Sequence, residues 1–167
     1  RVSFCDELTG LKNRHAFKEQ MVAQESLENG CIILLDVDNF KKINDQYGHQ
    51  VGDAVLVHLA KILKKCSPYN SFISRWGGEE FLILLEHYDV DKAQDLCASI
   101  LNACEKNPYK LDRTRLEVTF SMGLTTFKQL DLSNYSGTLQ QVDACLYQAK
   151  TQGKNQFVTH KIIPAVL

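Results

Sequence analysis

Apolar residues along the chain follow two rhythms, one repeating every three or four positions and one bunched into short unbroken runs. The first predicts amphipathic helices and the second buried strands. From Arg14 to Leu27, Phe17, Met21 and Val22 fall near a 3.6-residue repeat, and Gly30 stops that helix. Cys31 to Leu35 is a continuous apolar run suited to a strand covered on both faces, ending on Asp36-Val37-Asp38. Phe40, Ile43 and Asn44 predict a short helix closing at Gly48, a C-cap glycine. Val55, Leu56, Leu59, Ile62 and Leu63 mark a longer helix ended by Ser67-Pro68.

Two strand-like runs, Phe72 to Arg75 and Phe81 to Leu85, flank Gly77-Gly78, which predicts a β-hairpin. Asp89 to Cys104 and Thr138 to Gln152 are helical. Leu116 to Phe120 and Met122 to Thr126 add strands, and Gln156 to Val158 an edge strand. No repeat, low-complexity tract or linker interrupts the pattern. The expectation is one α/β (α+β) domain over residues 1–167. Its single mixed sheet of about five strands is surrounded by helices, because the hairpin must be antiparallel.

Composition narrows the functions available. A chain of 167 residues, 44% apolar and 23% charged, suits one globular domain. Nineteen Lys and Arg against twenty Asp and Glu leave a net charge of −1. No global field therefore favours nucleic acid or an anionic membrane, and phosphate chemistry needs a local site. The six cysteines are scattered without a CxxC pair and mostly lie in apolar stretches. They read as small core hydrophobes in a reducing, cytoplasmic compartment. Five histidines form no HxxxH or HExxH pattern, which argues against zinc. No apolar run approaches the ~18 residues that span a bilayer. The start at Arg1 is expected to reflect excision from a longer multidomain signalling protein, whose upstream segments would supply any membrane anchor.

The acidic residues carry the first chemical signal. Asp36 ends a buried strand, and Glu79-Glu80 follow the Gly-Gly turn of the hairpin. Carboxylates from two strand ends can share magnesium ions, and two such ions can stabilise both oxygens of an in-line displacement. The competing reading makes Asp36 a residue at a helix start and Glu79-Glu80 a solvated turn. Asn39, Phe40 and Lys41 open a helix whose free N–H groups attract phosphate, with Lys41 and Lys42 adding charge. Asn44 and Asp53 lie on consecutive elements and can read the N1–H and N2–H₂ donors of guanine, which adenine lacks. They could equally be helix caps.

Taken together these residues resemble a family. Asp36-Val37-Asp38-Asn39-Phe40-Lys41 with Asn44-Asp45, Gly48-His49 and Gly52-Asp53 is similar to the DxDxFKxxND…GHxxGD pattern of GGDEF-family diguanylate cyclases. Arg75-Trp76-Gly77-Gly78-Glu79-Glu80-Phe81 resembles the family's RxGG(D/E)EF signature in its GGEEF form. Asp6, Leu8-Thr9, Leu11 and Asn13-Arg14 match DxLTxLxNR, and Thr119, Ser121 and Gly123 match TxSxG. Ala149-Lys150 with Gly153-Lys154-Asn155 matches AKxxG(R/K)N, so the resemblance runs from Asp6 to Asn155 in order and spacing.

The resemblance implies a nucleotide-cyclase-like fold with the signature on the hairpin. It implies an enzyme that condenses two GTP into cyclic di-GMP across a homodimer, with two magnesium ions per site and manganese as a substitute. Asp36, Glu79 and the Val37 carbonyl would hold metal, with Glu80 close to the metals and the attacking hydroxyl. Asn44 and Asp53 would read guanine. The turn from Asn39 through Phe40 to Lys41, with Lys150 and Lys154, would hold phosphates. Asp6 and Arg14 would organise the chain entry, and Thr119 and Ser121 would pack the strand. GTP would be the small-molecule partner, with no nucleic acid and no membrane contact by the domain itself. Two departures stand out. Pro68-Tyr69-Asn70-Ser71 occupies the place of the family's RxxD product-inhibition motif, and Lys154 stands where arginine is more frequent. The rival readings are a non-catalytic module that binds GTP or cyclic di-GMP, and a palm-like polymerase or other nucleotide cyclase.

Overall fold

The computed structural model describes residues 3–23 and 26–161. Its organising element is β2 (Leu27–Val37), buried without interruption from Gly30 to Val37. A strand so apolar needs cover on both faces and partners on both edges. β4 (Glu80–Leu85) pairs with it antiparallel on one side and β7 (Phe120–Leu130) antiparallel on the other. β3 (Phe72–Arg75) closes the hairpin with β4, β1 (Lys12–Asn13) adds parallel to β3, and β8 (Gln156–Thr159) adds parallel to β7. The sheet is mixed and six-stranded, in the order β1-β3-β4-β2-β7-β8.

The two-residue period of β2 divides the interior. Ile33, Leu35 and Val37 join Phe81 and Ile83 in one core, with Leu59 and Leu63 of α3 (His49–Cys66) and Leu96 and Ile100 of α4 (Val90–Lys106). Ile32 and Leu34 join Leu82 and Leu84 in the other, with Phe17 and Met21 of α1 (Arg14–Ala23) and Val142 and Leu146 of α5 (Tyr135–Thr151). Each such buried side chain stabilises the fold by about 1.5–3 kcal/mol before entropy is subtracted. The same alternation puts Asp36 and Glu80 on the face covered by α1 and α5. α2 (Phe40–Tyr47) connects the end of β2 to α3.

Several boundaries differ from the sequence expectation. The first helix does not run to Leu27. That residue opens β2, opposite Leu130, and residues 24 and 25 lie outside the described part. Gly30 continues β2 instead of ending a helix, passing so close to the Leu85 carbonyl that a Cβ would sit 2.0 Å from it. The run from Leu116 is not one strand with Phe120. Leu116 ends β6 (Thr114–Leu116), which pairs with β5 (Tyr109–Leu111) in a small separate hairpin, and β7 continues unbroken through Ser121 to Leu130. α3 begins directly after Gly48 and α5 at Tyr135, both earlier than the apolar repeats alone indicate. Four cysteines are buried, and desolvation pushes the Cys31 and Cys104 thiols up to about 12. Among the described residues, no helix is long and apolar enough to cross a membrane.

Candidate active site

Pairing register brings the acids together. Asp36 lies opposite Glu80 on β4 and opposite Ser121 on β7. The Val37 N–H donates to the Glu79 carbonyl at 3.1 Å, tying the turn to the end of β2. Trp76 N–H and Gly77 N–H both donate to the Glu80 carbonyl, at 2.7 and 3.2 Å, and close the hairpin. Arg75 clamps the turn from within, donating to the Gly78 carbonyl through Nη2 (2.7 Å) and Nε (3.2 Å). Its Nη1 reaches Asp6 at 3.1 Å, and Asp6 also accepts from the Thr9 N–H and hydroxyl. Arg14 stacks 4.4 Å over the Trp76 ring while donating to the Trp76 carbonyl. The opening segment therefore does more than organise the chain entry: it fixes the outer side of the signature hairpin.

The electrostatics of the cluster fit a cation. Asp36 is buried and ion-paired with Lys150 from the last turn of α5. Burial pushes Asp36 above the ordinary carboxylate value despite that partner. Glu79 and Glu80 are raised by desolvation first and then by repulsion from Asp36. Lys150 is raised too, because Asp36, Glu80 and Glu79 together outweigh its own desolvation. Carboxylates whose ionisation is disfavoured until positive charge arrives, presenting oxygen donors only, match the chemistry of magnesium. Among the described residues no three acidic, histidine or cysteine side chains form a ready metal cage. An ion held by Asp36 and Glu79 thus needs further oxygens from the backbone, such as the Val37 carbonyl, and from a bound phosphate.

Beyond the strand end, Asn39 adopts the left-handed conformation (φ 57°) and starts α2 without a side-chain cap. Phe40 is buried and anchors the turn, whereas Lys41 is exposed. Lys154 Nζ donates to Asn39 Oδ1 at 2.9 Å, bringing the loop after α5 over the same turn. Lys150 and Lys154 thus lie on the side of the site where the α2 N–H groups open.

The capping alternatives for Asn44 and Asp53 do not hold. Gly48 donates to the Asn44 backbone carbonyl, not to its side chain, and Asp53 lies inside α3 rather than at its cap, Gly48. Asn44 Oδ1 is buried with no hydrogen-bond partner, a cost of roughly 1–3 kcal/mol unless a ligand supplies a donor. The room it occupies exists because residue 52 is glycine, where a Cβ would stand 1.8 Å from that oxygen. Asp53 follows immediately and is exposed.

The sequence reading gave Asp38 no role beyond its place in the motif. It is buried and accepts from the Thr119 hydroxyl (2.6 Å), the Ser121 hydroxyl (2.6 Å) and the Asn155 N–H (3.0 Å). Thr119 and Ser121 are therefore not packing residues alone. Their hydroxyls, one on each carboxylate oxygen of Asp38, join the start of β7 to the end of β2, and the Asn155 N–H adds the Lys154 loop. The spacing of two hydroxyls two residues apart, on one face of a strand, was the available signal.

Residues 3–156 match the family model described as "Diguanylate cyclase, GGDEF domain". Diguanylate cyclase A of Treponema denticola is 32% identical over 164 residues, covering 93% of this chain and 44% of that protein. Diguanylate cyclase DgcP of Pseudomonas aeruginosa is 36% identical over 161 residues, covering 92% and 23%. The chain thus spans less than half the length of these curated relatives. Among solved structures, diguanylate cyclase SiaD of Pseudomonas aeruginosa, in complex with its activator SiaC, superposes with a TM-score of 0.85 at 32% identity, covering 94% of this chain and 62% of that one. The GGDEF domain of DgcB from Caulobacter crescentus, in complex with c-di-GMP, gives 0.82 at 26% identity, covering 96% and 97%.

Proposed function

The chain belongs to the GGDEF diguanylate cyclase family, and from that membership we propose that it joins two GTP molecules into cyclic di-GMP and releases two pyrophosphates. The observation that carries the reading is the cluster itself: Asp36, Glu79 and Glu80 converge with raised pKa values beside Lys150. Asp36, Glu79 and the Val37 carbonyl are assigned to hold the metal. When bound, magnesium, two ions per site with manganese as substitute, supplies Lewis-acid neutralisation of the reacting phosphate. The Asn39 to Lys41 turn, Lys150 and Lys154 hold the triphosphate, and Asn44 with Asp53 reads guanine.

In the proposed step the 3′-hydroxyl oxygen of one GTP bonds to the α-phosphorus of the other. The bond from that phosphorus to the bridging oxygen breaks, and pyrophosphate leaves. The hydroxyl proton passes to Glu80, the carboxylate directly opposite Asp36 across the β2–β4 pairing. The same step repeated closes the ring. Because each chain holds one GTP, the two substrates meet between two copies related by two-fold symmetry. Positioning and electrostatics then supply most of the rate. At the place of the family's RxxD motif, Ser71 turns back on the Pro68 carbonyl and Tyr69 projects fully into solvent. With neither arginine nor aspartate there, product inhibition through that site is expected to be weak. The reading places residues 1–167 as one catalytic domain of a longer signalling protein, on the cytoplasmic side where GTP is available, with any membrane anchor outside this chain. Some relatives fit that picture, such as an uncharacterized membrane protein of Staphylococcus haemolyticus, 32% identical over 95% of this chain and 46% of its own length.

The test is incubation with GTP and magnesium at high protein concentration, assaying cyclic di-GMP and pyrophosphate together. Formation of both in a one-to-two ratio is expected. Binding of GTP without product would leave a nucleotide-binding module instead of an enzyme.

A further inference from the structure

A second concentration of charge lies away from the carboxylate cluster. A cavity of about 420 Å³ is lined by His58 of α3, Lys106 at the end of α4, Asn107, and Tyr109, Lys110 and Arg115 of the β5–β6 hairpin. The volume falls within the range of small-molecule sites. Three permanent cations border it and no carboxylate does. Glu105, Asp112 and Glu117 stand close in sequence but outside the lining. None of Lys106, Lys110 and Arg115 makes an ion pair among the described residues.

The hairpin register sharpens the point. Lys110 and Arg115 are directly opposed across the two strands. Like charges so placed destabilise a β-ribbon, and three-residue strands have little with which to offset it. The floor is built rather than loose. Asn107 Nδ2 donates to the Ala103 carbonyl (2.8 Å), and His58 Nε2 lies 2.7 Å from the Asn107 carbonyl, an acceptor, so Nε2 carries the proton. The His58 ring meets Tyr109 edge-on at 5.7 Å. Opposed cations around an ordered floor, on a chain of net charge −1, make a local anion trap.

We propose that this cavity binds polyphosphate anions, either free pyrophosphate or the phosphate tail of a nucleotide, separately from the carboxylate site. Two or more linked phosphates can reach both Lys110 and Arg115, the latter through its bidentate fork. A single phosphate or sulfate offers fewer oxygens and less charge to share among Lys106, Lys110 and Arg115. An anion here also joins α3, the end of α4 and the hairpin.

The proposal is tested by titrating the chain calorimetrically with pyrophosphate, GTP and sulfate in EDTA, where turnover cannot occur. The outcome is then independent of whether the chain is a cyclase. Pyrophosphate is expected to bind at least ~10-fold more tightly than sulfate, and the Lys110→Ala/Arg115→Ala double variant to lose at least ~10-fold. Chemical shifts of His58, Asn107 and Tyr109 should move on binding. That variant relieves repulsion, so its ligand-free melting temperature should equal or exceed wild type; if it fails to fold, Lys106→Gln takes its place. GTP binding as tightly as pyrophosphate identifies the phosphate chain as the whole determinant. Tighter GTP binding that Tyr109→Leu removes adds the base. Unchanged pyrophosphate affinity in the variant, shifts confined to Lys150 and Lys154, or sulfate matching pyrophosphate would overturn the proposal.

Discussion

Asp36 and Glu79 share one site but carry different burdens in the ligand-free protein. Asp36 neutralises Lys150, and its side chain is 12% exposed against 38% for the lysine. Asp36→Ala should therefore abolish cyclic di-GMP synthesis and lower stability by less than about 1 kcal/mol, because the lost, solvent-screened pair with Lys150 is partly offset by the burial penalty relieved at Asp36. Glu79→Ala should abolish synthesis yet melt at or above the wild-type temperature, because Asp36 repels Glu79. Melting both variants beside a GTP assay checks the contrast, and equal stability of the two would remove the ion pair from the account. The same cluster sets a pH dependence. Burial, then Asp36, raises Glu79, so its proton is bound more tightly in the folded chain than in the unfolded one. Such a group favours the fold while protonated and costs stability as pH climbs through its folded pKa. The melting temperature of Glu79→Gln relative to wild type should thus rise as pH climbs above the ordinary glutamate value of about 4.3; a flat difference would show that Glu79 ionises without penalty. On the base-reading side, Asp53→Ser should erode the preference for GTP over ATP by roughly 1–3 kcal/mol. An unchanged rate ratio would mean that another residue, with Asn44 the first candidate, reads the base.

At the level of elements, the site depends on how closely α5 approaches the sheet. A Cβ at Gly123 of β7 would lie 2.3 Å from the Val142 carbonyl and 2.6 Å from the Leu146 nitrogen, both backbone atoms of α5 that cannot turn aside. Gly123→Ala should push α5 outward, destabilise the fold by about 1–3 kcal/mol, and draw Lys150 away from Asp36, lowering GTP turnover as well. Full turnover in a destabilised Gly123→Ala protein would separate the helix position from catalysis. This dependence also explains what was legible beforehand. Chemistry-bearing residues stood out because several cluster at a strand end and a turn, where Asp36 and Glu79 break the apolar rhythm. The hairpin of β3 and β4 followed from Gly77-Gly78 between two apolar runs. β5 and β6 were missed because strands of three residues are too short for the alternation of Tyr109, Leu111 and Leu116 with Lys110 and Arg115 to be read as a period. β2 was drawn too short because the helical rhythm was carried to Leu27 and Gly30 was read as its stop, although Leu27, Glu28 and Gly30 all pair with β7. Asp38 was left without a role because its partners, Thr119, Ser121 and Asn155, are distant in sequence and meet it only across the folded sheet.

The largest scale is the meeting of two copies. The proposed product needs two guanosine units joined head to tail, while the proposed reading assigns each chain a single pair, Asn44 and Asp53, to read a base. A productive encounter therefore requires two chains, each presenting the end of β2 and the signature hairpin to the other. The exposed large apolar residues of the described part, Phe4, Val22, Tyr69, Val90, Leu132 and Tyr147, come from separate elements and build no broad apolar strip. No heptad run outside the globular helices supplies a coiled-coil seam. The isolated chain is accordingly expected to be mostly monomeric, with activity per chain rising as its concentration climbs through the micromolar range. Fusion to a coiled coil should restore activity at dilution, because a short connection holds the second copy at an effective concentration of about a millimolar. Sedimentation of the samples used for the rate measurements decides the matter. Monomers whose specific activity stays flat from nanomolar to micromolar protein would defeat the two-copy mechanism. A stable dimer with the same flat activity would leave the chemistry standing and show that the interface is built into this domain.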